Sequence, residues 1–233
     1  MRTTTACAAR RAGNATRAGE CIGRFFSVGG GAQVKRITAD EYQRLRAGAE
    51  VLEADSFGDK VLRLADGTIL KLFRRKRLLS SAAWYPYARR FADNAVAMRR
   101  RGIAVPEIID VMRIPSVARD AVHYQPLPGV SLRQLLRAGV DAKRRQALRS
   151  AFTRFVIELH EKGIYFRSLH LGNVLHLPDG RFGLIDIADA RLRPWRLSRH
   201  LRRRNLRLLL AAAGESDLVD TAAVLAGCRT ESP

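Results

Sequence analysis

The sequence predicts an α+β protein in two parts, because strand-like segments dominate its first half and helical segments its second half. Runs near 50–73 and 108–125 have the composition and turn signals of strands. Apolar residues recur at helical spacing over 142–162. A chain of 233 residues, 47% of them hydrophobic, suffices for one substantial domain or two small lobes that share a cleft.

The first half is predicted to contain a β-hairpin between a short helix and a longer one and to end in two further strands. An Asp66-Gly67 turn between two strand-like runs is typical of a hairpin, and Gly102 is a helix-stop signal. The predicted elements are a helix at 39–45, strands at 50–54, 61–64 and 68–73, a helix at 87–101, and strands at 108–112 and 121–125.

The second half begins after a Pro-Leu-Pro-Gly segment that indicates a turn or linker. A long amphipathic helix is predicted to end at Gly163, and a Pro-Asp-Gly turn separates two later strands. The predicted elements are helices at 131–136 and 142–162, strands at 174–177 and 182–185, and a helix-compatible, Arg-rich tail.

Residues 1–33 differ from the rest in composition, being rich in Ala, Arg, Gly and Thr. They lack the continuous apolar centre of a secretory signal. We interpret them as a disordered leader or as upstream sequence translated from a wrongly assigned start, with the domain beginning near Val34. No apolar run in the chain approaches the roughly 18–20 residues that span a bilayer.

The formal charge of +20 is extreme. It favours polyanionic partners such as nucleic acid, anionic lipid or phosphorylated glycan. An alternative interpretation is compositional, since 36 of the 42 basic residues are Arg, as a GC-rich genome would produce. The three cysteines, at 7, 21 and 228, lie near the chain ends and form no metal or disulfide pattern, which indicates a reducing compartment.

The segment from Leu159 to Arg191 carries the strongest functional motifs. A kinase catalytic loop reads H-R-D-L-x-x-x-N and is followed a strand later by D-F-G. Here F-R-S-L occupies the position of H-R-D-L, and Asn173 occupies that of the loop Asn. Asp186 begins the sequence D-I-A-D-A-R, which shares three residues with the longer kinase pattern D-F-G-x-A-R. The segment therefore resembles the protein-kinase-like superfamily. The alternative is a loop Asn and a buried turn Asp without catalytic roles.

The resemblance implies an ATP and Mg²⁺ site. Lys71, on a predicted strand, matches the V-A-I-K lysine that holds the α- and β-phosphates. The amide oxygen of Asn173 and the carboxylate of Asp186 would bind Mg²⁺, which prefers oxygen ligands. Without the motifs around it, Lys71 would be an ordinary solvated lysine at a strand end.

The catalytic loop departs from the pattern at Ser168, which stands where a kinase has its catalytic Asp. A serine cannot act as a carboxylate base. His170, in an L-H-L-G-N sequence like that of small-molecule and sugar kinases, is a candidate substitute base. Its alternative role is to make structural hydrogen bonds within the loop.

Three further kinase features are weak or replaced. The helix at 87–101 has no Glu to orient the lysine, and its one acid, Asp93, is either a shorter substitute or an exposed surface residue. Gly58 is the single glycine where a Gly-rich loop would cover the phosphates. Tyr124 lies in a segment that resembles the interlobe linker, whose backbone would bind the adenine edge.

Within the superfamily the chain looks most like the bacterial lipopolysaccharide core kinases that phosphorylate Kdo or heptose. This resemblance implies a bilobal fold with a small β-rich N-lobe at 34–125, a short helical C-lobe at 126–215 and a tail at 216–233. It also implies transfer of the ATP γ-phosphate to a sugar hydroxyl of an anionic glycan. The expected location is the cytoplasm, with peripheral contact to the anionic inner face of the inner membrane.

Two other functions compete with this one. A pseudokinase that binds nucleotide or acts as a scaffold is favoured by Ser168, Asp93 and the single glycine. Nucleic-acid binding rests on charge alone, since no recognised RNA or DNA motif is present. The segment 191–207, with eight Arg and no acid, would as a helix bind phosphate groups or form a solvated basic face. Nothing in the sequence specifies an oligomeric state.

Overall fold

The computed structural model describes residues 33–75, 85–211 and 216–227. Strands and helices are largely segregated along this part of the chain, consistent with an α+β protein. The part up to Gln125 contains a six-stranded sheet with the strand order β1-β5-β6-β4-β3-β2. Its strands are β1 (Val34–Arg36), β2 (Glu50–Asp55), β3 (Gly58–Arg63), β4 (Ile69–Arg74), β5 (Glu107–Ile114) and β6 (Arg119–Gln125).

The part after Gln125 is mainly helical, with small sheets between the helices. A three-stranded sheet has the order β10-β9-β7, and β8 pairs with β11. These short strands are β7 (Val130–Ser131), β8 (Ile164–Tyr165), β9 (Val174–His176), β10 (Phe182–Leu184) and β11 (Arg191–Leu192). The described helices of the chain are α1 (Ala39–Arg46), α2 (Tyr87–Arg99), α3 (Leu132–Arg137), α4 (Ala142–Glu161), α5 (Arg199–Leu210) and α6 (Thr221–Ala226).

Most predicted elements are confirmed with small shifts at their ends. The strand expected at 61–64 already begins at Gly58, and the helix expected to reach 101 ends at Arg99. Four strands of two or three residues were not predicted, namely β1, β7, β8 and β11. The predicted leader at 1–33 lies outside the described residues except for its last position.

The helix-compatible segment 191–207 is helical only in its second part. Arg191–Leu192 form β11, and α5 begins only at Arg199, where Ser198 accepts a hydrogen bond from the amide of Leu201. Pro194 explains part of the delay, because proline disfavours helical geometry in the residue before it. Trp195 stays 69% exposed in this extended stretch, while Leu197 is buried.

The side chains of strand β4 pack into different apolar clusters on the two faces of the sheet. Successive side chains of a strand point to opposite sides. Leu70 and Leu72 belong to a small apolar cluster with Tyr42 of α1. Ile69 and Phe73 pack on the other face, in the large core that includes α2 and α4. The same alternation puts Lys71 on the α2 face.

A buried polar contact supports the chain just before the predicted catalytic loop. Nε2 of His160, near the end of α4, lies 3.0 Å from Oδ1 of Asn205 in α5. Asn205 in turn donates to the carbonyl of Phe166 at 2.6 Å. Burial lowers the pKa of His160 to about 4, so the imidazole is neutral at physiological pH. Helix α5 thereby fixes the backbone two residues before Ser168.

No helix in 33–75, 85–211 or 216–227 is long and apolar enough to cross a membrane.

Replacing Gly163 by Ala should destabilise the protein by about 3 kcal/mol. Gly163 has a φ of +70°, and an added Cβ would lie 2.5 Å from the carbonyl oxygens of both Arg193 and Trp195. Gly139→Ala is a matched control, because Gly139 also follows a helix with a positive φ but has open space around it. We expect Gly139→Ala to lose only about 1 kcal/mol. Equal losses for the two variants in urea unfolding would contradict the packing argument.

Candidate functional site

The structure brings Lys71 and Asp186 together, although they lie far apart in the sequence. Nζ of Lys71 is 2.8 Å from Oδ1 of Asp186. The side chain of Lys71 is 17% exposed and that of Asp186 44% exposed. A cation and a carboxylate therefore meet at a place that a ligand can reach from solvent.

Asp186 has an unusual backbone conformation. Its φ of +55° and ψ of +42° lie in the left-handed region, and it opens a 3-10 turn over Ile187–Asp189. Within the described ranges, Ala118 is the one other non-glycine residue with a positive φ. Asp tolerates this region better than most residues, but it is found there mainly where the surroundings enforce it. Such outliers cluster at functional sites.

Helix α2 holds this turn in place. Nδ2 of Asn94 donates to the carbonyl of Ile187 at 2.7 Å and to that of Ala190 at 3.0 Å. The two bonds bracket the 3-10 turn that follows Asp186. Helix α2, which packs on the face of the sheet that carries Lys71, thus also fixes the backbone beside Asp186, the partner of Lys71.

The predicted catalytic loop is connected to the same turn. Oγ of Ser168 donates to Oδ2 of Asp189 at 2.6 Å. Nδ2 of Asn173 donates to the carbonyl of Ser168 at 3.0 Å, and the carbonyl of Asn173 accepts from the amide of Ile185 at 3.0 Å. Asn173 is 8% exposed. Because its amide nitrogen is bound to the loop, its amide oxygen is the atom that a metal ion would use.

Asp189 is the one residue of this arrangement that we did not predict as part of the site. The pKa of its carboxyl is raised, mainly by burial and further by the charge of Asp186. The hydrogen bond from Ser168 acts in the opposite direction and lowers the pKa. Its Oδ1 is buried and has no hydrogen-bond partner among the described residues. The available signal was a second carboxylate in the D-I-A-D-A-R segment, three residues after Asp186.

His170 makes contacts inside its own loop. Its Nδ1 accepts from the amide of Gly172 at 3.1 Å and lies 3.5 Å from Nη2 of Arg133. These contacts correspond to the structural alternative considered for this residue. A role as a base would have to use Nε2.

Asp93 does not pair with Lys71. The hydroxyl of Tyr85 donates to Asp93 at 2.7 Å, and Nε of Arg89 lies 3.7 Å from it. Burial and the hydrogen bond to Asp93 raise the pKa of Tyr85 to about 12. Asp93, in the middle of α2, thus contacts Tyr85 and Arg89. The carboxylate that pairs with Lys71 is that of Asp186.

The last two predicted residues, Gly58 and Tyr124, lie on strands near Lys71. Gly58 has a φ of +105° and begins β3, whose Val61 pairs with Lys71. Tyr124 is buried, and its ring stacks on that of Phe91 with centroids 5.3 Å apart. The pairing between β4 and β6 ends at Ile69 and Tyr124, and the chain after Tyr124 no longer pairs with β4.

The Arg-rich segment divides into structural and exposed residues. Arg202 is buried, pairs with Glu161 and donates through Nε to the carbonyl of Leu197 at 3.0 Å. The other seven arginines between 191 and 207 are exposed.

No group of three or more His, Cys, Asp and Glu side chains in the described ranges could hold a metal by itself. Mg²⁺ commonly binds through one or two protein carboxylates together with substrate phosphates and water. Asp186 would supply such a carboxylate, and Asn173 would add an amide oxygen. A surface cavity lies elsewhere, between α4, Gly102–Ala104 and the β9–β10 hairpin.

Neither a scan against protein-family models nor a search of the curated proteins finds a match to this chain.

Proposed function

We propose that the protein is an ATP-dependent phosphotransferase with a bilobal, protein-kinase-like fold. The observation that carries the proposal is the 2.8 Å contact between Lys71 and Asp186, which come from the two segments that resemble kinase motifs. A coincidental resemblance in two distant segments gives no reason for these side chains to meet. A shared site for phosphates and metal requires them to lie close together.

Each residue has a role in this proposal. Lys71 places a compact positive charge beside the phosphates of ATP. The Asp186 carboxylate and the Asn173 amide oxygen hold Mg²⁺, which supplies charge neutralisation at the β- and γ-phosphates when bound. The linker around Tyr124 borders the adenine, and the hairpin around Gly58 covers the phosphates. Because the basic and acidic groups now pair with each other, nucleotide binding has to replace that ion pair with new contacts to phosphate and metal.

The proposed acceptor is a sugar hydroxyl of an anionic glycan such as lipopolysaccharide core. The exposed arginines of α5, among them Arg199, Arg203, Arg204 and Arg207, support an anionic substrate, because guanidinium groups bind phosphate in a forked geometry. The same residues would allow peripheral contact with the anionic cytoplasmic face of a membrane. Nucleic-acid binding has no support beyond charge.

A second candidate is a pseudokinase that binds nucleotide without transferring phosphate. Ser168 supports it, since the loop lacks the carboxylate that normally orients the acceptor hydroxyl. The engagement of Asp93 with Tyr85 also supports it, because no acid of α2 orients Lys71.

Phosphate transfer to purified lipopolysaccharide core oligosaccharide separates these candidates. With γ-labelled ATP and Mg²⁺, the wild-type protein should label the oligosaccharide, and EDTA should stop the labelling. Lys143→Ala, which changes an exposed lysine of α4, should behave like the wild type. Nucleotide binding without labelling of the oligosaccharide or hydrolysis of ATP would establish the pseudokinase instead.

A further inference from the structure

A carboxylate lies beside Ser168, the position where the kinase pattern has its catalytic Asp. It belongs to Asp189, whose Oδ2 accepts the Ser168 hydroxyl at 2.6 Å. Ser168 is partly exposed, and a serine oxygen has two lone pairs with which it can accept a hydrogen bond from a second hydroxyl group. The loop that lacks a carboxylate in its sequence therefore has one in contact with it in space.

The surroundings hold Asp189 in this position. It ends the 3-10 turn that Asn94 fixes through the carbonyls of Ile187 and Ala190. The second oxygen of Asp189 is buried, and nothing in the described part of the chain donates to it. A buried carboxylate oxygen without a donor is destabilising, and native proteins retain such groups mainly where they serve a function.

We propose that Ser168 and Asp189 together replace the missing catalytic Asp. Ser168 contacts the acceptor hydroxyl, and Asp189 acts through Ser168 as a positioning residue. This inference rests on the proposed phosphotransferase function and specifies how that function is carried out without a carboxylate in the loop.

The proposed reaction transfers one phosphoryl group and moves two protons. The acceptor oxygen forms a bond to the γ-phosphorus, and the bond between that phosphorus and the β–γ bridging oxygen breaks, releasing ADP. The acceptor proton passes to Oγ of Ser168, and the Ser168 proton passes to Oδ2 of Asp189. Ser168 ends as a neutral hydroxyl and Asp189 as a carboxylic acid, which returns its proton to solvent before the next turnover.

His170 is less suited to this role. Its Nδ1 accepts from the Gly172 amide, a local bond that shapes the loop. No contact links His170 to Ser168 or to Asp189 within the described ranges, whereas Ser168 and Asp189 are bonded to each other.

The test measures turnover and nucleotide affinity in Asp189→Asn and Ser168→Ala. Both variants should lower the rate of phosphate transfer to core oligosaccharide by about 100-fold or more, the usual contribution of general acid–base groups. ATP hydrolysis without acceptor, where water takes the place of the sugar, should fall similarly. The Kd for ATP with Mg²⁺ should stay within about twofold of wild type, because neither residue holds phosphate or metal. Asp179→Asn, in the exposed β9–β10 turn, is the matched control and should change neither quantity.

A carboxylate swap distinguishes catalysis from structural support. In the double variant Ser168→Asp with Asp189→Asn, a carboxylate returns to the position it has in the kinase pattern. Transfer should recover at least about tenfold over Asp189→Asn alone, on the scale expected of such a group. A residue that merely stabilised the turn would not be rescued in this way.

Other results would overturn the inference. Near-normal turnover in Asp189→Asn, or a loss of turnover that follows a loss of ATP affinity, would contradict it. Wild-type protein that binds ATP with Mg²⁺ but neither transfers phosphate nor hydrolyses ATP would refute the inference and leave the nucleotide site intact. Wild-type protein that does not bind ATP with Mg²⁺ would refute the proposed function as well. If Asp189→Asn fails to fold, judged by its thermal unfolding, Ser168→Ala carries the same comparison.

Discussion

Replacing Asp186 by Asn should reduce phosphate transfer by about 10³-fold, the effect expected when an electrostatic group at the transferring phosphate is lost. Asn keeps the size of the side chain and tolerates the left-handed conformation that Asp186 adopts. The fold should therefore be retained while the negative charge that would hold Mg²⁺ is lost. The measurement is the rate of transfer from γ-labelled ATP to core oligosaccharide at saturating Mg²⁺.

The control for this variant is Asp179→Asn, which removes a carboxylate that pairs with Arg181 at an exposed turn. We expect its transfer rate to match the wild type. If Asp186→Asn transferred phosphate as fast as Asp179→Asn, Asp186 would have no part in the reaction.

Replacing Lys71 by Met should lower transfer by about 10²-fold and weaken ATP binding, because the cation that contacts the phosphates is lost. Met fills the space of the lysine stem, which is largely buried. Lys143→Met on the exposed surface of α4 provides the comparison. Unchanged ATP affinity in Lys71→Met would contradict the phosphate role.

The double variant Lys71→Met with Asp186→Asn tests whether the two residues serve one site. Residues that act together on one substrate give effects that are not additive. The double variant should therefore lose less activity than the product of the two single losses. Independent, multiplicative losses would indicate that the 2.8 Å contact has no bearing on turnover.

Much of the fold can be predicted from the sequence because turn and helix-stop signals act on neighbouring residues. The Asp66-Gly67 turn forms as expected, with Thr68 donating from its amide to Asp66 at 2.9 Å. Gly102 and Gly163 follow their helices with positive φ values. Strands of two residues, such as β8 and β11, have no such signal, since they arise from pairing between distant segments.

The candidate site could be predicted from the sequence only in part. Lys71, Asn173 and Asp186 were identified from motif positions, and their contacts now link them through one turn and one loop. Asp93 was considered as a shorter substitute for the Glu that orients the lysine. It instead accepts a hydrogen bond from the hydroxyl of Tyr85 at 2.7 Å, and no kinase motif includes this tyrosine. The sequence shows Asp189 only as a second carboxylate in D-I-A-D-A-R, because its contact with Ser168 joins side chains 21 residues apart.

The most direct test of the account is the thermal shift produced by ATP with Mg²⁺. At about 100 times the Kd, a ligand adds about 2.7 kcal/mol to stability, or roughly 5–10 °C in Tm for a domain of this size. The wild-type protein should show this shift, ATP with EDTA should give a smaller one, and Asp186→Asn should lose the part that depends on Mg²⁺. A wild-type Tm that ATP with Mg²⁺ leaves unchanged would contradict the claim that Lys71 and Asp186 form a nucleotide site.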